Sequence, residues 1–271
     1  MHLIYTIFIH FYLLVIRLGS LFNPKAKLWV EGRKNIFDEL KSKIQNSRKN
    51  INERSNSIWV HCASLGEFEQ GRPLIEKLKK NDGSLKIILT FFSPSGYEIR
   101  KNYMGADYVF YLPMDTSSNA KKFIEIIDPK AVFFIKYEFW FNYLNELKRR
   151  NIPTYLISGI FRNEQHFFKF YGSWFRKQLS CFSHFFVQDE HSKELLNSIE
   201  YKNVAVVGDT RFDRVAEISG NVKSISLVQL FKQNHPLIIA GSTWPEDEKI
   251  IADWIQLSNF KLSNFKLNSL L

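Results

Sequence analysis

The chain repeats one pattern: a short run of aliphatic and aromatic residues, a turn, then apolar residues at helical spacing. Ile58-Trp59-Val60 opens the series, with Leu74, Ile75 and Leu78 following the turn. Further runs stand at Lys86–Phe92, Tyr108–Leu112, Ala131–Ile135, Thr154–Ser158, His184–Val187 and Val204–Val207. Ala131-Val132-Phe133-Phe134-Ile135 is apolar throughout, as a strand covered on both faces should be. Between the runs the spacing predicts helices over Ala120–Ile127, ending before Pro129, over Tyr143–Arg150, and from about Glu190 to Asn197. Parallel strands need crossover connections, and helices fill those crossovers on both faces of the sheet. The pattern therefore predicts an α/β fold with a Rossmann-like parallel sheet.

In such sheets ligands lie outside the carboxyl ends of the strands, so the turns after the strands are where chemistry is sought. The first turn lies within Val60-His61-Cys62-Ala63-Ser64-Leu65-Gly66-Glu67-Phe68-Glu69-Gln70-Gly71-Arg72-Pro73. By spacing alone, Ser64-Leu65-Gly66-Glu67 fits a capping box, with Ser64 as N-cap and Glu67 reaching back. The alternative is a reactive carboxylate at Glu67, which a helix N-terminus should keep ionised and weakly basic. After the second run, Ser93-Pro94-Ser95-Gly96 makes a tight turn without the P-loop pattern. After the fourth come Lys136-Tyr137-Glu138-Phe139-Trp140, where Glu138 could pair with a neighbouring cation or face a substrate. After the fifth comes Arg162, suited either to an intramolecular ion pair or to a bidentate grip on an anion. The seventh runs into Gly208-Asp209-Thr210-Arg211-Phe212-Asp213, by its residues a strand end with a solvated loop. A fresh strand is expected at Pro236–Ala240, with Gly241 and Ser242 at a helix N-terminus suited to a phosphate. Asp189-Glu190-His191 reads as a helix start, because consecutive helical residues do not face one centre. His166–Phe182 is rich in aromatics at helical spacing, partly core and partly a surface for membrane or acceptor.

A net charge of +10 suits nucleic acid, an anionic membrane surface or a phosphorylated substrate. Nucleic acid would rest on charge alone and is not expected as a partner. Cys62 and Cys181 match no metal or redox spacing, no metal-ligand cluster is visible, and no Gly-x-Gly-x-x-Gly follows a strand. Neither a metal nor a cofactor is expected. Leu3 to Leu18 is mostly apolar but carries His10 and Arg17, marginal for a spanning helix of ~20 residues. With Lys25, Lys27, Arg33 and Lys34 close behind, it is expected to be a monotopic or single-pass anchor at the cytoplasmic face of the inner membrane. The rival reading is an amphipathic helix buried in the domain. A helical patch at Ile36-Phe37-Leu40 then runs into a solvated linker from Lys41 to Ser57.

Taken together, these stretches resemble the Kdo transferases, which add 3-deoxy-D-manno-octulosonic acid to lipid A precursor. That family's His-x-x-Ser-x-Gly-Glu stands here as His61, Ser64, Gly66 and Glu67, its Glu-x-Trp as Glu138 and Trp140, and its Gly-Asn/Asp-x-Lys/Arg-Phe-Asp as Gly208 to Asp213. Phe141 stands where the family often has Pro. The resemblance implies a glycosyltransferase of GT-B type using CMP-Kdo as donor in lipopolysaccharide core biosynthesis. It implies Glu67 as proton acceptor, Glu138 and Arg211 as transition-state stabilisers, and Ser64, Gly66, Arg162, Gly241 and Ser242 as substrate-binding residues. Its implied organisation is an anchor at 1–24, a basic helix and linker at 25–57, an acceptor-binding Rossmann-like domain at 58–220, and the start of a nucleotide-sugar domain at 221–271. The family's later nucleotide-gripping motifs are not found, and Ser258–Leu262 is copied at Ser263–Leu267, as by slippage or frameshift. The competing expectation is therefore a truncated, inactive, membrane-tethered binder of lipid A precursor.

Overall fold

The structure is a computed structural model, and it describes residues 2–45, 56–220, 224–235 and 237–257. The middle of the expected linker and the tandem five-residue copy lie outside the described residues. The chain forms two compact units, Met1–Glu217 and Ile218–Leu271.

The first unit is built on seven strands: β1 (Ser57–Cys62), β2 (Lys86–Phe91), β3 (Tyr108–Tyr111), β4 (Ala131–Ile135), β5 (Thr154–Gly159), β6 (His184–Val187) and β7 (Val204–Val206). All pair in parallel, in the order β3-β2-β1-β4-β5-β6-β7. The order reverses between β1 and β4, so their carboxyl ends flank the crevice where an open α/β sheet binds ligands. Side chains alternate between faces along each strand and both faces are covered. Trp59, Ile88, Phe110, Val132, Phe134, Leu156 and Phe185 share one core with α3 (Ile36–Leu40), α6 (Ser117–Ile127) and α7 (Phe141–Arg149). Ile58, Val60, Cys62, Ile87, Leu89 and Ile135 form the other, under α4 (Leu65–Asn81). There a Cβ on Gly71 of α4 would sit 3.1 Å from both Cys62 Sγ and Ile135 Cγ1, so the helix backbone lies close on the strand ends. The remaining helices of this unit are α5 (Pro94–Arg100), α8 (Ser173–Leu179), α9 (Glu190–Ser198) and α10 (Arg211–Gly220).

Three α-helices precede the sheet: α1 (His2–Gly19), α2 (Pro24–Glu31) and α3. Ile9 of α1 is buried, and Tyr5, Tyr12, Leu13 and Ile16 pack with it around Trp29, Met114 and Phe92. The opposite face leaves Leu3, Ile4, Ile7, Phe8, Phe11, Leu14, Val15 and Leu18 exposed. Among the described residues no helix is long and apolar enough to cross a membrane, which corrects the single-pass expectation. The physical reason is that α1 commits one face to protein, whereas a spanning helix must suit lipid all round. Arg33 also departs from the surface role expected of it. Its guanidinium stacks 3.9 Å from the Trp29 ring and donates to the carbonyls of Leu112 (2.8 Å), Trp29 (3.0 Å) and Phe92 (2.7 Å). It thereby ties the N-terminal helices to the ends of β2 and β3, and burial pulls its pKa down to about 9.

The aromatic stretch after β5 is not one helix. It is a short 3-10 turn at His166–Phe168, then α8, with Phe170 between them 95% exposed. A Cβ at Gly172, just before α8, would lie 2.1 Å from the His166 carbonyl, so the chain folds back tightly there. The second unit contains α11 (Ser226–Lys232) and α12 (Pro245–Leu257). The expected strand at Pro236–Ala240 is not formed among its described residues, and Ile239 is 75% exposed. A parallel strand is stabilised by neighbours on both sides, and no described segment of this unit pairs with it.

Candidate active site

The turn after β1 delivers Glu67. Ser64 caps α4 in extended conformation (φ −137°), and its hydroxyl accepts from the Glu67 N–H at 3.5 Å. Glu67 reaches back, its Oε2 accepting from the N–H groups of Ala63 (2.5 Å) and Ser64 (3.3 Å). The capping-box reading is thus realised, and the cap fixes one carboxylate oxygen while Oε1 has no hydrogen bond among the described residues. The expected low basicity is not found. Burial, and then the charge of Glu138, push the Glu67 pKa up to about 7, against the two backbone donors and Lys136.

The turn after β4 delivers Glu138. Lys136 adopts a left-handed backbone (φ 70°), which is unusual for a residue with a side chain. The chain turns back there, and Glu138 ends only 8% exposed. Its Oε2 lies 3.2 Å from His61 Nε2 and 2.5 Å from the Trp140 indole nitrogen, which donates to it. His61 is fully buried, and its Nδ1 is 2.8 Å from the Thr90 hydroxyl. Thr90 in turn accepts from the Trp59 indole N–H at 2.7 Å. The two acids therefore occupy adjoining strand ends at the switch point, coupled by charge. The sequence does not announce Thr90 or Trp59, because only the β1–β2 register sets His61 opposite Thr90.

Beside Lys136 opens a cavity of about 810 Å³ whose wall includes Tyr137, Phe139, Arg162, His166 and Arg211. Lys136 and Arg162 show no ion pair among the described residues, so the cavity presents these cations together with Glu164, while Glu67 and Glu138 do not line it. Arg211 is held differently: its guanidinium forms a fork with Asp209, Nε to Oδ2 at 2.9 Å and Nη2 to Oδ2 at 2.5 Å. Burial pushes the Asp209 carboxyl up, but Arg211 and Gln70 outweigh it and hold the pKa down at about 2. Gln70 Nε2 donates to Asp209 at 3.1 Å, and the Thr210 hydroxyl donates to the Gln70 carbonyl at 2.7 Å. Because Gln70 lies one turn after Glu67, these bonds bring the start of α10 against the helix that carries the candidate base. Neither spacing nor composition reveals this contact between α4 and the start of α10, so the sequence does not pair Gln70 with Asp209.

Of the residues expected in the site, Ser64, Gly66, Glu67, Glu138, Arg162 and Arg211 all lie at the carboxyl edge of this sheet. Gly241 and Ser242 belong to the second unit, ahead of α12, with Ser242 in a left-handed conformation (φ 59°). Asp189 caps α9 by accepting from Ser192 N–H at 2.7 Å, the helix start expected of it. Among the described residues no three His, Cys, Asp or Glu side chains gather in a metal-ligating group.

The sequence profile of 3-deoxy-D-manno-octulosonic-acid transferase (kdotransferase) matches residues 38–214. A 3-deoxy-D-manno-octulosonic acid transferase of Haemophilus influenzae is 27% identical over 198 residues, 72% of this chain and 46% of that protein. One from Aquifex aeolicus is 34% identical over 94 residues, 34% of this chain and 26% of that protein. The chain spans about half the length, or less, of these curated relatives. Among solved structures, a UDP-N-acetylglucosamine 2-epimerase superposes with a TM-score of 0.57 at 16% identity, over 79% of this chain and 62% of that one. That likeness speaks to the fold, an α/β Rossmann-like sheet of GT-B type. With a profile match that runs from α3 to the start of α10, through the turns that carry Glu67, Glu138, Arg162 and Arg211, the chain belongs to the 3-deoxy-D-manno-octulosonic acid transferase family.

Proposed function

We propose that this chain carries the acceptor-side half of a reaction that moves Kdo from CMP-Kdo to a hydroxyl of a lipid A precursor, in lipopolysaccharide core biosynthesis. The observation that supports this most is the acid pair at the β1/β4 switch point, with Glu67 held near pKa 7. A general base is most effective when its pKa lies close to the working pH. In this reading Glu67 takes the proton of the acceptor hydroxyl as that oxygen bonds to the anomeric carbon of Kdo. The bond from that carbon to the CMP phosphate oxygen breaks, and CMP departs with the electron pair. Glu138 keeps Glu67 basic and offsets positive charge developing on the sugar ring. Arg211 offsets negative charge on the sugar carboxylate or the departing phosphate. Arg162, with Lys136 in the same cavity, suits a phosphate or carboxylate of a substrate. Ser64 and Gly66 shape the turn, and Gly241 and Ser242 serve the nucleotide. No step calls for a metal or cofactor. The exposed apolar face of α1 rests in the cytoplasmic interface of an anionic inner membrane without crossing it.

The test is a mass-based transfer assay with CMP-Kdo and lipid A precursor in vesicles, on the protein and its Glu67→Gln variant. Loss of the base is expected to lower kcat by roughly 10²–10⁴-fold with acceptor binding kept. Near-normal transfer by the variant would overturn the assignment. Acceptor binding without turnover by the unaltered chain would instead support the binder reading.

A further inference from the structure

We infer that His61 is a positioning residue: as the Nε2–H tautomer it donates to the Glu138 carboxylate and holds it in place beside Glu67. This rests on the reading that Glu138 serves transfer. The Trp59 indole can only donate, so the Thr90 oxygen accepts from it at 2.7 Å. A hydroxyl keeps one proton and a second lone pair, so the Thr90 contact with His61 Nδ1 at 2.8 Å suits either direction, and the tautomer is decided at Nε2. Nε2–H points at Glu138 Oε2, 3.2 Å away. The Trp140 indole nitrogen lies 2.5 Å from Oε2 and 3.2 Å from Nε2, so the nearer carboxylate oxygen takes its single proton, and Nε2 faces that acceptor-only oxygen as a donor. The Trp140 indole N–H closes on the same Oε2, so a donor from β1 and one from the turn after β4 converge on one oxygen.

Everything in the chain from Trp59 to His61 is buried, so no water can substitute for a lost member: Trp59, Thr90 and His61 have no solvent exposure. The arrangement joins three strands, since Trp59 and His61 stand on β1, Thr90 on β2, and Glu138 follows β4. It also balances the strain at Lys136. A left-handed lysine aims the loop back toward the sheet, and the histidine gives the returning carboxylate a fixed donor. His61 touches no reacting atom in this account. It acts on the rate only through where Glu138 sits, and therefore through the field that keeps Glu67 basic.

Two measurements test this. Long-range ¹H–¹⁵N spectra of ring-labelled histidine, with the His61 signals assigned by their loss in His61→Gln, should show the Nε2–H pattern in the neutral ring. An Nδ1–H pattern would overturn the proposal whatever the activity. In the transfer assay, His61→Asn keeps a group near Nδ1 and loses the one near Nε2, whereas His61→Gln keeps the latter. Asn should lower kcat roughly 10–100-fold with little change in KM and move the acid limb of the pH profile downward, as Glu138 loses a donor and its charge is no longer held beside Glu67. Gln should recover most of the lost rate. Equal rates for the two variants, or an unmoved limb in Asn, would reduce His61 to a packing residue. Glu138→Gln separates the two levels of the claim. If it is silent, the role of Glu138 fails and this proposal with it; if it is crippled while Asn at 61 is silent, only the His61 assignment fails.

Discussion

Glu67 shows how one side chain satisfies a local rule and a distant one together. Locally it completes the cap of α4, and two backbone donors favour its charged form. Burial and Glu138 outweigh them and lift the group to about 7. The sign of the consequence is fixed. Glu67 accepts a proton only when ionised, so transfer should decline as pH falls through about 7. In Glu138→Gln the nearby negative charge is gone, so the ionised form of Glu67 becomes easier to make. The residual rate should therefore hold to lower pH than in the unaltered protein, as a rate–pH profile of both would show; an upward or absent displacement would contradict the coupling. The capping half of this behaviour is legible in Ser64-Leu65-Gly66-Glu67. The raised pKa is not, because its cause arrives from β4 and from packing that no local window contains. The same holds at Lys136, where a lysine occupies a left-handed position and no glycine marks the turn.

At the scale of elements, α7 begins immediately after Glu138 and Trp140, yet Trp140 supplies it no side-chain cap. The cap comes from Asp115, in the loop after β3. Its Oδ2 accepts from Asn142 N–H and its Oδ1 from Tyr143 N–H, both at 3.0 Å, and the Asn142 amide donates to the Asp115 carbonyl at 2.7 Å. Tyr5 of α1 donates its hydroxyl to the same carboxylate at 2.5 Å, so the N-terminal helix is fastened to the element that fixes the Glu138 loop. Burial raises the Asp115 pKa to about 6 against all of these donors. Asp115→Ala strips the cap and leaves buried N–H groups without partners, at a cost of about 2–3 kcal/mol. Urea unfolding should show this loss, with Asp115→Asn intermediate because an amide keeps one acceptor oxygen. A change below about 0.5 kcal/mol would mean that water or backbone takes over the cap. The sequence pattern places this helix at Tyr143, two residues late, because a cap donated from another loop leaves no mark beside the helix it serves.

Over the whole molecule, the seven apolar runs of the first unit all become strands, since a parallel strand covered on both faces needs the continuous apolar sequence that makes it readable. The run at 237–240 has the same composition and remains irregular, which shows that such a run becomes a strand only where neighbours receive it. α1 divides its apolar residues differently. Its inner face closes on Trp29, Phe92 and Met114, and its outer face leaves Phe8 and Phe11 about three-fifths exposed, at 60% and 61%. Arg17, Lys25 and Lys27 stand exposed close by in sequence, within a chain of net charge +10. An apolar face with a basic margin is the physical description of a helix that lies in the headgroup region, attracted by charge and retained by apolar contact. The protein should float with vesicles containing anionic lipid, and high salt should weaken that association without abolishing it. Phe8→Asp with Phe11→Asp should lower partitioning roughly 100-fold, because each exposed phenyl ring contributes ~1–2 kcal/mol when it leaves water. Neither ring packs against the acid pair, so transfer to a detergent-dispersed acceptor should survive the change. Unaltered flotation by the double variant would remove α1 from the membrane contact and leave its role as the fastener of Asp115.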